Sequence, residues 1–238
     1  MTTSKKNSIV ILNNKSHIKL KIKNDKSYEH AKEHHLAYLL VHEFPKAVLD
    51  FPIVFIKDAD TGQFKSVALF GFKPGENLFY DKKGWHCKYV PANVRRHPFL
   101  MVPKNEDLTE WDVCIDEASS LLSEYEGNSL FDTEGKASQH LEEAKQFLID
   151  VIEKEQLTSS FCNYLAAKDL FRANSITLSN SDGQKTAVNG LYIIDEDKLN
   201  DLSDDEYLDL KKRGYMGPIY SHLSSLGQIN NLLQLHNK

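Results

Sequence analysis

Two apolar runs on either side of a polar turn, FPIVFIK at 51–57 and KSVALFGF at 65–72, constrain this chain most. Each is of strand length, rich in β-branched and aromatic residues, and bounded by Gly, Pro or Asp. The residues between them, Asp58–Gly62, form a turn, so the two runs read as an antiparallel pair. DADTGQ at 58–63 begins like a calcium loop, but position 12 of such a loop, which needs a bidentate Glu, is Leu69. Lys73-Pro74-Gly75 punctuates next, and Leu78–Tyr80, Cys87–Val90 and Phe99–Val102 are further short strand candidates.

Other segments have a different period. HIKLKIK, 17–23, alternates as a half-buried strand does. Residues 27–49 carry Tyr28, Ala31, His35, Leu36, Leu39, Leu40 and Phe44 at helical spacing, with Ser27 as N-cap and Pro45 as breaker. Ser138 is expected to cap a helix to about Lys154, and a second is expected over about 158–172. SITLSNSDGQKTAVNGLYIID reads as a hairpin turning at Asp182-Gly183. Ser203-x-x-Glu206 is a capping box, Gly214 ends its helix, and Pro218 begins the last one. The pattern predicts an α+β protein, an antiparallel sheet with packed helices and a helical C-terminal half. It forms a single domain over 1–238 whose lobes, 1–126 strand-rich and 127–238 helix-rich, are not independent. Gly127–Gly135 is the seam between them.

Several functional classes are excluded. No apolar run approaches the roughly 18 residues of a membrane span, so no membrane insertion is expected. MTTSKKNSIVILNN lacks the apolar core of a signal peptide, which makes the cytoplasm the expected compartment. Cys87, Cys114 and Cys162 are widely spaced, with no CxxC, and read as reduced structural thiols. His30 and His34 have the spacing of a metal pair, but no HExxH accompanies them and no metal is expected. No GxGxxG, Walker A loop or GxSxG elbow occurs, so no cofactor is expected. Asp195-Glu196-Asp197 and Asp204-Asp205-Glu206 sit at helix starts, where carboxylates complement the dipole.

The net charge of −5 divides unevenly. Residues 1–104 hold 18 Lys+Arg and 9 Asp+Glu, or +9; the remainder hold 11 and 25, or −14. The lysines are scattered, so the basic half is expected to face the acidic half and not nucleic acid.

The densest chemistry lies in ENLFYDKKGWHCKYVPANVRRHPF, 76–99. Glu76, Asn77, Trp85, Tyr89, Arg95, Arg96 and His97 are the candidate ligand- or partner-binding residues. Guanidinium groups beside Trp and Tyr recognise carboxylate, phosphate or aromatic groups by bidentate bonding and stacking. The same residues also suit a structural buttress, and both readings stand at this point.

Six separated motifs, in order, carry a resemblance to a known family. They are EFPKAVLDFPIVF (43–55), GENLFYDKKGW (75–85), YVPANVRRHPF (89–99), NSLFDTEG (128–135), GLYIIDEDKLNDLSDDEY (190–207) and IYSHLSSLGQINNLL (219–233). Over roughly 17–235 the chain resembles the SapC-like family, named for a protein encoded in bacterial surface-layer loci. The family's usual RRYPF reads RRHPF here, with His97 in place of Tyr. The resemblance implies a link to surface-layer biogenesis or export. In other proteobacteria similar genes lie beside flavin-dependent halogenase-like, cupin-like and TonB-dependent receptor genes. The expected function is a non-catalytic accessory or binding protein recognising a peptide, a protein, or a small anionic or aromatic ligand. Two alternatives are kept: a tailoring enzyme or partner of a flavin-dependent halogenase or cupin-type oxygenase, and a nucleic-acid binder using the basic half. The oligomeric state is left open.

Overall fold

In the computed structural model the two apolar runs pair as antiparallel strands, Ile53–Lys57 with Phe64–Leu69, in a register that sets Phe55 opposite Ser66. The turn between them closes through Asp58 N–H to the Gln63 carbonyl and Gly62 N–H to the Asp58 carbonyl, with Gly62 at φ 70°. The structure describes residues 8–105, 107, 109–179 and 185–237. It falls into two compact units, each built from two separate stretches of chain.

The first unit comprises described residues 8–30 and Val94–Ile152. Its main sheet sets Trp111–Asp116 between Ile9–Ile11 and Phe99–Pro103, all antiparallel. A smaller sheet places Lys21–Ile22 between Leu122–Ser123 and Asn128–Ser129. Ile22, Phe99, Ile115, Leu130, Leu141 and Leu148 make the core. The alternation at 17–23 yields only the two-residue strand, because Asn13 captures the Lys15 and Ser16 amides and winds Asn14–His17 into a helical turn. Residues 127–135 lie within this unit.

The second unit comprises Ala31–Asn93 and Glu153 onward. Its five-stranded antiparallel sheet runs Phe171–Ser179, Lys185–Ile194, Ile53–Lys57, Phe64–Leu69, Leu36–Tyr38. The predicted hairpin is present; its predicted turn, Asp182-Gly183, lies outside the described residues. Phe44, Phe51, Phe55, Phe70 and Phe161 are fully buried; Phe44, Phe55 and Phe161 are in ring contact with one another, and Phe51 with Phe70.

The helix expected over 27–49 does not form. Tyr28 adopts a left-handed φ of 55°, and Ser27 bonds back to Asp25 instead of capping a helix. Leu36–Tyr38 is drawn into the sheet against Val67–Leu69, so tertiary pairing overrides the helical spacing. Pro45 sits in the first turn of a short helix, Phe44–Ala47, where its missing N–H costs nothing. Cys87–Val90 forms no strand. The two helices expected around residue 156 are one, Gln139–Ala167, because nothing between Lys154 and Thr158 breaks it. Ser138 Oγ accepts from Leu141 N–H at its start, and Asp169, at φ 53°, closes its end. Ser203 and Glu206 form the predicted capping box, and Gly214, at φ 75°, follows that helix. The last helix is two, Met216–Ser225 and Gln228–His236.

One buried side chain completes the large sheet. Ile194 N–H and the Ile53 carbonyl lie where the ladder between their strands would continue, and the His222 imidazole bridges them at 3.0 and 2.8 Å. Ser225 Oγ accepts from Ile53 N–H at 2.9 Å and donates to the His222 carbonyl at 2.6 Å.

Candidate functional site

The stretch 76–99 divides between the two units at Asn93 and Val94. Glu76, Asn77, Trp85 and Tyr89 belong to the second unit, and their polar atoms are engaged in its packing. The Glu76 carboxylate accepts from Phe72 N–H at 2.8 Å and meets His236 Nδ1 at 3.1 Å. The loop is tight here: a Cβ on Gly71 would lie 2.3 Å from the Glu76 carbonyl oxygen. Asn77 is buried, donating to the Ala31 carbonyl and accepting from Phe79 N–H. The Trp85 ring packs edge-on against Phe51 and Phe70, and its Nε1–H donates to the Tyr89 carbonyl at 3.1 Å. Tyr89 Oη donates to Glu43 at 2.5 Å. Glu43, itself 1% exposed, also accepts from Leu40 and Ala92 N–H.

Arg95, Arg96 and His97 belong to the first unit, and there the structure brings them together in a pocket of about 340 Å³. The helical turn Ala92–Arg95 carries Arg95, Arg96 follows it directly, and the strand beginning at Phe99 anchors the far side. Core residues Ile22, Phe99 and Leu148 also line the cavity. The His97 ring stacks on His30 at a centroid distance of 4.0 Å and an interplanar angle of 16°. His30 Nε2–H donates to the Val94 carbonyl at 3.0 Å, and His97 Nε2 lies 2.8 Å from Ser119 Oγ. The Arg95 guanidinium lies over the Phe147 ring, 5.1 Å from its centroid.

The pocket is cationic. Lys23, Lys26, Arg95 and Arg96 line it against two carboxylates, Asp25 and Glu143. Asp25 accepts from Ser27 N–H and Oγ–H, and Glu143 from Gln139 Nε2. Lys23 is 3.5 Å from Glu126. His140, also in the lining, has a buried Nε2 with no hydrogen-bond partner. Tyr28, in its left-handed backbone conformation, sets its ring edge-on to His30, and such conformations cluster at ligand clamps.

Sequence reasoning found Arg95, Arg96 and His97 but not their companions. His30 drew notice only as half of a metal pair with His34; His30 belongs to the first unit and His34 to the second. The available signal was the run KNDKSYEH at 23–30, which shares the basic-plus-aromatic composition of 95–99.

Other candidates serve structural roles. Asp58 is held well below the usual carboxylate range by Lys65 and by Thr61, within the hairpin turn. Glu206 is lowered to about 2, first by Lys168 and then by its capping bonds to Ser203. Burial pushes the Cys162 thiol up to about 12 and raises Cys87 as well, so neither is a ready thiolate. Among the described residues no group of three or more His, Cys, Asp or Glu is placed to hold a metal ion. Among them, too, no helix is long and apolar enough to cross a membrane.

A family model described as SapC matches residues 12–232. No curated protein and no solved structure matches the chain.

Proposed function

The chain belongs to the SapC family, and on that premise we propose that it is a non-catalytic binding protein whose first unit captures an anionic group at Arg95, Arg96 and His97. The pocket itself carries this reading: four permanent cations against two internally bonded carboxylates, around a cavity in the size range of ligand sites. Arginine is suited to the task, because its planar fork meets carboxylate or phosphate in a bidentate, charge-assisted pair. The partner is a small anionic ligand, or a peptide or protein presenting an acidic group. An accessory role beside surface-layer export is compatible with such a protein.

Calorimetric titration with inorganic phosphate, citrate and a tetraglutamate peptide tests the reading. Saturable binding of at least one of them, weakened tenfold or more in Arg96→Ala at unchanged melting temperature, is the expected result. No binding by any of the three or by an apolar carboxylate or phosphate monoester, or binding indifferent to Arg96, overturns it.

One contact favours a second reading. Ser119 Oγ lies 2.8 Å from His97 Nε2, within reach for a nucleophile and its base. Covalent labelling by a fluorophosphonate probe that disappears in Ser119→Ala would establish an acyl- or phosphoryl-transfer enzyme instead.

A further inference from the structure

We infer that the group captured in the first unit's pocket belongs to an organic anion with an apolar body, a carboxylate or a phosphate monoester, and not to a bare inorganic ion or a strongly polar acidic peptide. This deepens the binding reading above and rests on it.

Three observations carry the inference. The first is size. A cavity of about 340 Å³ lies in the range of sites that bury organic ligands. Inorganic phosphate would fill a small part of that space and leave the rest wet. The second is the lining away from the cations. Phe99, Leu121, Ala144, Phe147 and Leu148 are apolar, and Phe99 and Leu148 are continuous with the unit's core. A site for a fully hydrated or highly charged ligand has no need of such a wall, whereas an apolar body gains by covering it. The third is how the charges are held. Arg95 lies over Phe147, and His97 is stacked on His30, so cationic and imidazole groups lie against ring faces. That arrangement suits a ligand whose charge and flat or aliphatic carbon lie side by side.

Phenyl phosphate and 4-phenylbutyrate are the probes, with inorganic phosphate as reference. The carboxylate and the phosphate ester separate the two sources of the anion. The proteins are the full chain, Arg96→Gln and Ala144→Phe, with Ala144→Leu as a smaller filling. Circular dichroism and melting temperature confirm folding. Ala144 is chosen because it faces the cavity and carries no charge.

At least one of the two probes should bind tenfold or more tighter than inorganic phosphate. Ala144→Phe, or Ala144→Leu if the larger side chain does not fold, should remove that advantage while leaving phosphate binding unchanged. Arg96→Gln should weaken phosphate and probe alike. If phosphate binds in an Arg96-dependent way but neither organic anion improves on it, the inference fails and the anion-binding reading survives. Retention of the advantage in the filled variants overturns it as well. If none of the three ligands binds, the inference fails together with the reading beneath it.

Discussion

His222 gives the sharpest test of how the second unit is held together. It is fully buried, and Nδ1–H donates to the Ile53 carbonyl while Nε2 accepts from Ile194 N–H. Both bonds require the neutral imidazole with its proton on Nδ1; a second proton would set Nε2–H against Ile194 N–H. Burial lowers the pKa to about 4, even though the bond to Ile53 works in the opposite direction. The unfolded chain would titrate near 6.5. Between about pH 4 and about 6.5 the unfolded state therefore carries a proton that the folded state lacks, and stability rises with pH across that window. The contribution is complete above about 6.5 and is lost as the pH falls toward 4. At about 1.4 kcal/mol per pH unit, it amounts to about 3 kcal/mol. Urea unfolding of the wild type and of His222→Gln at pH 7.5 and pH 4 measures it. A Gln amide can accept from one strand and donate to the other without titrating. Carboxylates that protonate over the same range affect both proteins, so the difference isolates the imidazole. The wild type should lose about 3 kcal/mol more than the variant on acidification. Equal losses would refute the neutral-bridge account.

Three further outcomes are expected. Glu43→Ala strands Leu40 N–H, Ala92 N–H and the Tyr89 hydroxyl, and should destabilise by at least about 3 kcal/mol in chemical denaturation; Glu43→Gln should cost less, since one oxygen still accepts. Trp85→Ala should lower stability by about 3 kcal/mol through lost packing on Phe51 and Phe70, which a thermal-shift or urea measurement reads directly. Gly127→Ala should destabilise by more than about 1 kcal/mol, because its φ is 106° and a Cβ would lie 2.2 Å from the Ile22 carbonyl oxygen; an unchanged urea midpoint would count against that geometry.

Local chemistry was legible in the sequence. The Asp58–Gly62 turn needs only its own residues, and the Ser203–Glu206 capping box closes within four. The family could be read from ordered motifs. What escaped depends on distant partners. The spacing at 27–49 is helical, but Leu36–Tyr38 has a strand to pair with some thirty residues later. The burial of Glu43 cannot be read from its neighbours, because its donors Tyr89 and Ala92 come from another part of the chain. The site was half legible for the same reason. Arg95, Arg96 and His97 announce themselves as a cluster, whereas the rest of the pocket comes from 22–30 and 140–148; the run at 23–30 shares their basic and aromatic composition, but nothing local says that the three stretches meet.

The interleaving of the two units dictates the order in which they can be completed during synthesis. The N-terminal segment of the first unit must wait until residues up to Ile152 have left the ribosome before its sheet and core can close. Residues 31–93 are made before that point, yet their unit needs strands and helices from beyond Glu153. So the part that closes first is assembled around a long insertion that is itself still unfinished. For that interval Ile53–Lys57 presents a strand edge to the cell that Lys185–Ile194 will later cover. The nascent chain is therefore most exposed to aggregation, and most in need of a chaperone, while the segment from 153 to 194 is being made.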